Sequence, residues 1–200
     1  MPARMPDSAP DPSRIVILSP NWLGDAVMAL PAIADVKRRF AAARVIVAAR
    51  RAVAGMFHLA PSIDEVLPLE WNGRLLRQRA LRTDLDALRR LSADAALLLP
   101  NSFASAWMVS RAGIPQRMGY ARDWRARLLT RAVKPPGLSV HQSEYYQHLV
   151  RALDMAVTIA SAIAIEERFL RERFGTMYDD YKRGATSVER AFSLERAMSD

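Results

Sequence analysis

The loop Pro20-Asn21-Trp22-Leu23-Gly24-Asp25 joins a short apolar run, Ile15–Leu18, to residues of helical spacing. Its reactive group is the Asp25 carboxylate. A carboxylate between a strand and a helix N-terminus can take a proton from a substrate hydroxyl, as a general base does. The same residue type also caps helices and complements the helix dipole, and spacing leaves both roles open. The loop lacks the glycines of GxGxxG, so it is no dinucleotide fingerprint. Asn101-Ser102 follows a second apolar run, Ala95–Leu99. Its groups suit hydrogen bonds to a sugar or phosphate, or a helix N-cap. His141, ahead of another helical pattern, can orient a substrate or cap that helix.

Cations gather in one segment. Arg117, Arg122, Arg125, Arg127, Arg131 and Lys134 face one acid, Asp123, with Tyr120 and Trp124 interleaved. Guanidinium forks suit carboxylates and phosphates. Basic residues with aromatics also suit nucleic acid, and a solvated helix face is the plain alternative. Arg50 and Arg51 follow a further strand pattern and would join the same rim, which favours an anionic ligand there. The chain has no cysteine, which excludes disulfides, thiolate metal sites and thiol nucleophiles. His58, His141 and His148 show no metal-ligand spacing, and no metal is expected.

The elements that must position these groups alternate. Strand patterns at Ile15–Leu18, Val45–Val47, Glu65–Leu69, Ala95–Leu99 and Arg117–Tyr120 are separated by helical patterns. These helices are Val27–Phe40, Ala52–Leu59, Leu75–Leu91 and Phe103–Ala112, with His141–Asp154 after the last strand. Pro68 marks Glu65–Leu69 as an edge or end strand. Pro31 suits a first turn, so Gly24–Leu30 is expected as a separate turn. Strand–helix alternation predicts an α/β fold, a Rossmann-like parallel sheet with helices on both faces. Ligands of such sheets bind outside the strand carboxyl ends. The loops Ser19–Asp25, Ala48–Arg51, Leu69–Arg74 and Pro100–Ser105 are therefore the functional ones.

Three regions are expected: a disordered Pro-rich leader over 1–13, the α/β domain over 14–154 and a helical tail of different origin over 155–200. The net charge is +8, from 29 basic and 21 acidic residues. The tail holds 7 basic and 8 acidic residues, which leaves 22 and 13, or +9, for residues 1–154. That field fits an anionic partner. No run of about 18 apolar residues exists to span a bilayer, and no signal peptide is visible.

Four segments in order carry a resemblance: PNWLGDAVMALPAI (Pro20–Ile33), LLPNSFASAWMVSRAGIPQRMGY (Leu98–Tyr120), RARLLT (Arg125–Thr130) and HQSEYYQHLVRAL (His141–Leu153). Over about residues 14–154 the chain resembles the lipopolysaccharide heptosyltransferases, above all those of type II. The resemblance implies the N-terminal half of a B-type glycosyltransferase, which binds a lipid A–Kdo–heptose acceptor. It makes Asp25 the general base of an inverting transfer from ADP-heptose. Asn21, Trp22, Gly24, Asn101, Ser102, Arg117, Arg122, Arg125 and His141 become the acceptor-binding set. It implies no metal or cofactor, no nucleic acid, and a cytoplasmic location, peripheral at the inner membrane. The donor-binding half of that family, with its ADP-heptose site, is not in this sequence, so little activity is expected of it alone. Within the tail, EERFLRERFGTMYDDYKR (Glu166–Arg183) resembles the C-terminus of isoprenylcysteine carboxyl methyltransferases. The membrane helices of that family are absent, so no methyl transfer is expected.

Overall fold

The computed structural model describes residues 11–70, 78–137 and 140–155. Most of the expected leader, the tail beyond Met155 and its methyltransferase-like segment lie outside them. The described residues belong to the first of two units, Met1–Thr158.

β1 (Arg14–Leu18), after its exposed Arg14, and β4 (Ala95–Leu98) are apolar because each is covered on both faces. Ile15 and Ile17 enter one core, Val16 and Leu18 the other. These strands pair in parallel, Ile15 opposite Ala95 and Leu18 opposite Leu98. β2 (Arg44–Arg50) and β3 (Glu65–Leu69) extend the sheet on one side, β5 (Gln116–Tyr120) and β6 (Arg131–Val133) on the other. The order is β3-β2-β1-β4-β5-β6, all parallel. This is the Rossmann order, and its topological switch point falls between β1 and β4.

Helices α1 (Leu23–Arg39), α2 (Arg51–Phe57) and α5 (Gln142–Ala152) cover one face; α3 (Gln78–Arg90) and α4 (Phe103–Arg111) cover the other. The turn expected before Pro31 is not there. α1 runs unbroken through Pro31, which is itself buried. Proline removes one helix hydrogen bond, but Ala26, Ala29, Ala32, Ile33 and Val36 all become inaccessible on the same helix. Burial of that stripe outweighs the lost bond. β3 is an edge strand, which accommodates Pro68. α4 ends in a Schellman turn: Ile114 N–H donates to Val109 O, Gly113 N–H donates to Ser110 O, and Gly113 takes φ +82°.

The amino ends of the strands are tied by aspartates. Asp94, just before β4, accepts from Ser13 N, Ser13 Oγ and Arg14 N at 2.7–2.9 Å. Ser13, assigned by sequence to the leader, is therefore anchored to the sheet. Asp64, before β3, accepts from Val45 N at 2.7 Å and pairs with Lys37 at 2.8 Å. The Ser13 hydrogen bonds hold the Asp94 carboxyl below its ordinary range, against a burial effect that raises it.

Candidate functional site

Asp25 lies in the first turn of α1, beyond the carboxyl end of β1. The helix begins with Ala26 N–H donating to Trp22 O at 2.9 Å, and Trp22 is the N-cap without a side-chain bond. Asp25 therefore does not cap. Its carboxylate is half-buried, with no hydrogen bond or ion pair among the described residues. Asn21, Trp22 and Gly24 lie exposed around the start of the same helix.

β4 delivers the facing loop. Ser102 is the N-cap of α4, its Oγ accepting from Ser105 N at 3.3 Å. Asn101 is half-buried, and its Nδ2 donates to Tyr145 Oη at 2.9 Å. A cavity of about 70 Å³ opens between these loops, lined by Ser19, Asn21, Arg50, Pro100, Ser102 and Ser105 among others. His141 caps α5: its Nδ1 accepts from Ser143 N at 3.4 Å and lies 2.7 Å from Ser143 Oγ.

The basic segment does not form a helix face. It is divided among β5, a 3-10 turn (Arg125–Leu128) and β6, and only some of its cations reach solvent. Arg117 stands at the amino end of β5, far along the strand from the other candidates. Its guanidinium donates to the carbonyls of Leu128, Ile114 and Pro115 at 2.7–3.0 Å. Arg131 donates to Leu153 O at 3.1 Å, at the C-terminus of α5. Arg122 and Arg127 are exposed.

Arg125 is 0% exposed. Asp123 and Trp124, at φ 51° and 58°, turn the chain so that the Arg125 side chain enters the protein. Left-handed conformations at two non-glycine residues are costly, and the bonds that Arg125 makes offset that cost. Its Nε donates to Tyr120 O at 2.9 Å and its Nη1 to Pro100 O and to Ser105 Oγ. Nη2 donates to Asn101 Oδ1 at 3.4 Å. No carboxylate neutralises it among the described residues. Burial lowers its pKa to about 10, against the raising influence of Tyr145 and Asp123, so it stays charged at neutral pH. Gly119 makes room: a Cβ there would stand 3.1 Å from Arg125 Nη2 and 3.2 Å from Leu98 O. Arg125 thus holds the Asn101 loop from beneath and presents nothing to solvent.

Two tyrosines complete the site, and neither was singled out from the sequence. Successive helix residues point about 100° apart, so Tyr145 reaches the Asn101 loop while Tyr146 packs into the core shared by α1 and the sheet. Burial raises the Tyr146 hydroxyl to about 12; a Gln142 hydrogen bond opposes the rise, and the charge of Asp25 adds to it. Tyr120 donates its proton to Tyr145 O at 2.6 Å, so His148 Nδ1, 2.8 Å from the same hydroxyl, is the donor of that pair. Burial raises the Tyr120 pKa. The adjacent pair Tyr145-Tyr146, inside a segment already notable for His141, was the available signal.

The structure therefore brings Asp25, Asn21, Trp22, Gly24, Asn101, Ser102 and His141 to the carboxyl end of the sheet, with Arg122 on the loop after β5. It leaves Arg117 at the opposite end and Arg125 below the surface. Among the described residues, no group of three or more His, Asp or Glu side chains could hold a metal ion.

A parallel sheet of this order is a Rossmann-like α/β domain, here with a carboxylate at its switch point. The glycosyltransferase family 9 (heptosyltransferase) model matches residues 82–183, just over half of the 200-residue chain, and the chain belongs to that family. The matched stretch runs through Asp154 into residues 155–183. Lipopolysaccharide heptosyltransferase 2 of Escherichia coli K12 is 30% identical over 116 residues, which are 58% of this chain and 33% of that protein. Its Salmonella typhimurium LT2 counterpart is 30% identical over 119 residues, 60% of this chain and 34% of that protein. The chain thus spans about a third of the length of these relatives. The solved E. coli ADP-heptose lps heptosyltransferase II superposes with a TM-score of 0.56 at 27% identity, covering 68% of this chain and 39% of that one. A Veillonella parvula family 9 glycosyl transferase shares the fold, with a TM-score of 0.60 at 16% identity over 72% of this chain and 42% of that one.

Proposed function

We propose that these residues form the acceptor-binding half of a lipopolysaccharide inner-core heptosyltransferase, with Asp25 as general base. The observation that carries this is the Asp25 carboxylate, half-buried at the switch point and without a partner among the described residues. In the reaction, Asp25 takes the proton of an acceptor hydroxyl as its oxygen attacks the anomeric carbon of the heptose. The new C–O bond forms as the bond to the ADP β-phosphate oxygen breaks, with inversion, and ADP leaves with the electron pair. Ser102, Asn21 and His141 bind the Kdo–heptose portion by hydrogen bonds, Asn101 shapes the site from the facing loop, and Arg122 faces its anionic groups. A lipid A-anchored acceptor brings the exposed rim, with Trp22 and Trp124, to a membrane surface. Among the described residues no helix is long and apolar enough to cross one.

Donor and acceptor must be held in attack geometry for transfer, and this span covers only 39% of the solved heptosyltransferase II. These 200 residues alone are therefore expected to bind acceptor but transfer negligible heptose. The test combines ADP-heptose with a Kdo–heptose lipid acceptor, using wild type and Asp25→Asn, and reads both acceptor binding and transfer. The expected result is binding by both forms and transfer by neither. Transfer that Asp25→Asn abolishes would establish the base and reveal a donor site within this chain. Absence of acceptor binding would overturn the reading.

A further inference from the structure

The hydrogen bonds above Arg125 run in one direction only. Arginine has donors and no acceptor, so Asn101 Oδ1, 3.4 Å from Nη2, must be the accepting end of that amide. Asn101 Nδ2 then points away from Arg125 and donates to Tyr145 Oη at 2.9 Å. Tyr145 accepts in that bond, so its own proton must go elsewhere, and it has no acceptor among the described residues. The ring is held in place. Its centroid lies 4.4 Å from Tyr120 and 6.0 Å from Tyr146. Tyr145 is half-buried and lies between the Asn101 loop and Tyr146, whose hydroxyl feels the charge of Asp25.

We infer that Tyr145 is a ligand-binding residue of this site, its hydroxyl proton left free by the relay Arg125→Asn101→Tyr145 to donate to an oxygen of the acceptor sugar. Arg125 and Asn101 are the positioning residues of that relay. The inference rests on the acceptor-binding reading above. A tyrosine that can only donate outward selects a ligand oxygen with a lone pair at that point, whether hydroxyl, carboxylate or phosphate, over an N–H group.

The relay makes opposite demands on two substitutions of similar size. Tyr145→Phe removes the proton and keeps the ring. Asn101→Asp keeps the bond to Arg125 but offers Tyr145 an acceptor, so the hydroxyl turns its proton inward. Calorimetric titration with a Kdo–heptose lipid acceptor should show each variant binding about 3- to 10-fold more weakly than wild type. Adding Asn101→Asp to Tyr145→Phe should cost nothing further. In 15N-labelled protein, the Asn101 side-chain amide signals should shift in Tyr145→Phe and in Arg125→Lys. Wild-type affinity in Tyr145→Phe overturns the ligand role. A further loss in the double variant overturns the relay, because Asn101 would then act on the ligand directly. Unmoved amide signals overturn the relay as well. If wild type binds no acceptor while the amide signals shift as expected, the function reading fails and takes the ligand role with it, and only the relay stands.

Discussion

Arg125 is the residue on which the site's geometry depends most. A buried guanidinium without a carboxylate is stable only when its donors are satisfied, and here carbonyls from two loops and the Asn101 side chain satisfy them. Arg125→Met matches the volume but leaves Tyr120 O, Pro100 O and Asn101 Oδ1 without that donor. Unfolding in urea should show a loss of about 2–4 kcal/mol, and a loss below about 0.5 kcal/mol would contradict the burial argument. Asp25 is the opposite case. Its carboxylate makes no hydrogen bond or ion pair among the described residues, so Asp25→Asn should change stability in urea by less than about 0.5 kcal/mol. From sequence, Asp25 and Asn101 were recognisable because their loops follow strand patterns and open helices. Arg125 was recognisable as a cation, but its burial was not, because six cations in a row look alike until the chain turns at Asp123-Trp124.

At the scale of elements, the sheet keeps its two ends for different work. The amino ends carry aspartates that gather the first amides of neighbouring strands, and the carboxyl ends carry the candidate site. The Asp94 carboxyl is held below its usual 3.8 in the folded chain. A depressed folded value means that the stabilisation is present above the unfolded pKa and lost as pH falls through the folded one. Between about pH 5 and about pH 2 the protein should therefore lose stability partly through Asp94. Asp94→Ala should be less stable at neutral pH and should show a shallower acid decline in urea midpoints; an unchanged acid slope would remove Asp94 from that account. Strand and helix positions were legible because apolar runs and helical spacing are local. Exceptions have local causes too. Arg131-Ala132-Val133 carries no apolar run and forms β6 only by pairing with β5, and the 3-10 turn has no periodicity to read.

For the whole molecule, the positive field and the specific site make separable contributions. Residues 1–154 carry 22 basic and 13 acidic side chains. Their attraction for an anionic acceptor is long-ranged and screened by salt, the Debye length being about 10 Å at 0.1 M. If the proposed function holds, acceptor affinity should fall several-fold as sodium chloride is raised, while a Kdo–heptose acceptor stays preferred over a simple polyanion. An oligonucleotide that displaces the acceptor at every salt concentration would favour a nucleic-acid binder instead. The sequence by itself determined the layered α/β plan, the parallel sheet and the family, because alternation, periodicity and ordered motifs are properties of neighbours along the chain. Only the tertiary structure decided which cations face solvent. It also joined Tyr145 to Asn101 across 44 positions and carried α1 through Pro31. Those outcomes depend on burial and on the direction of hydrogen bonds between distant segments, and both exist only once the sheet has brought the segments together.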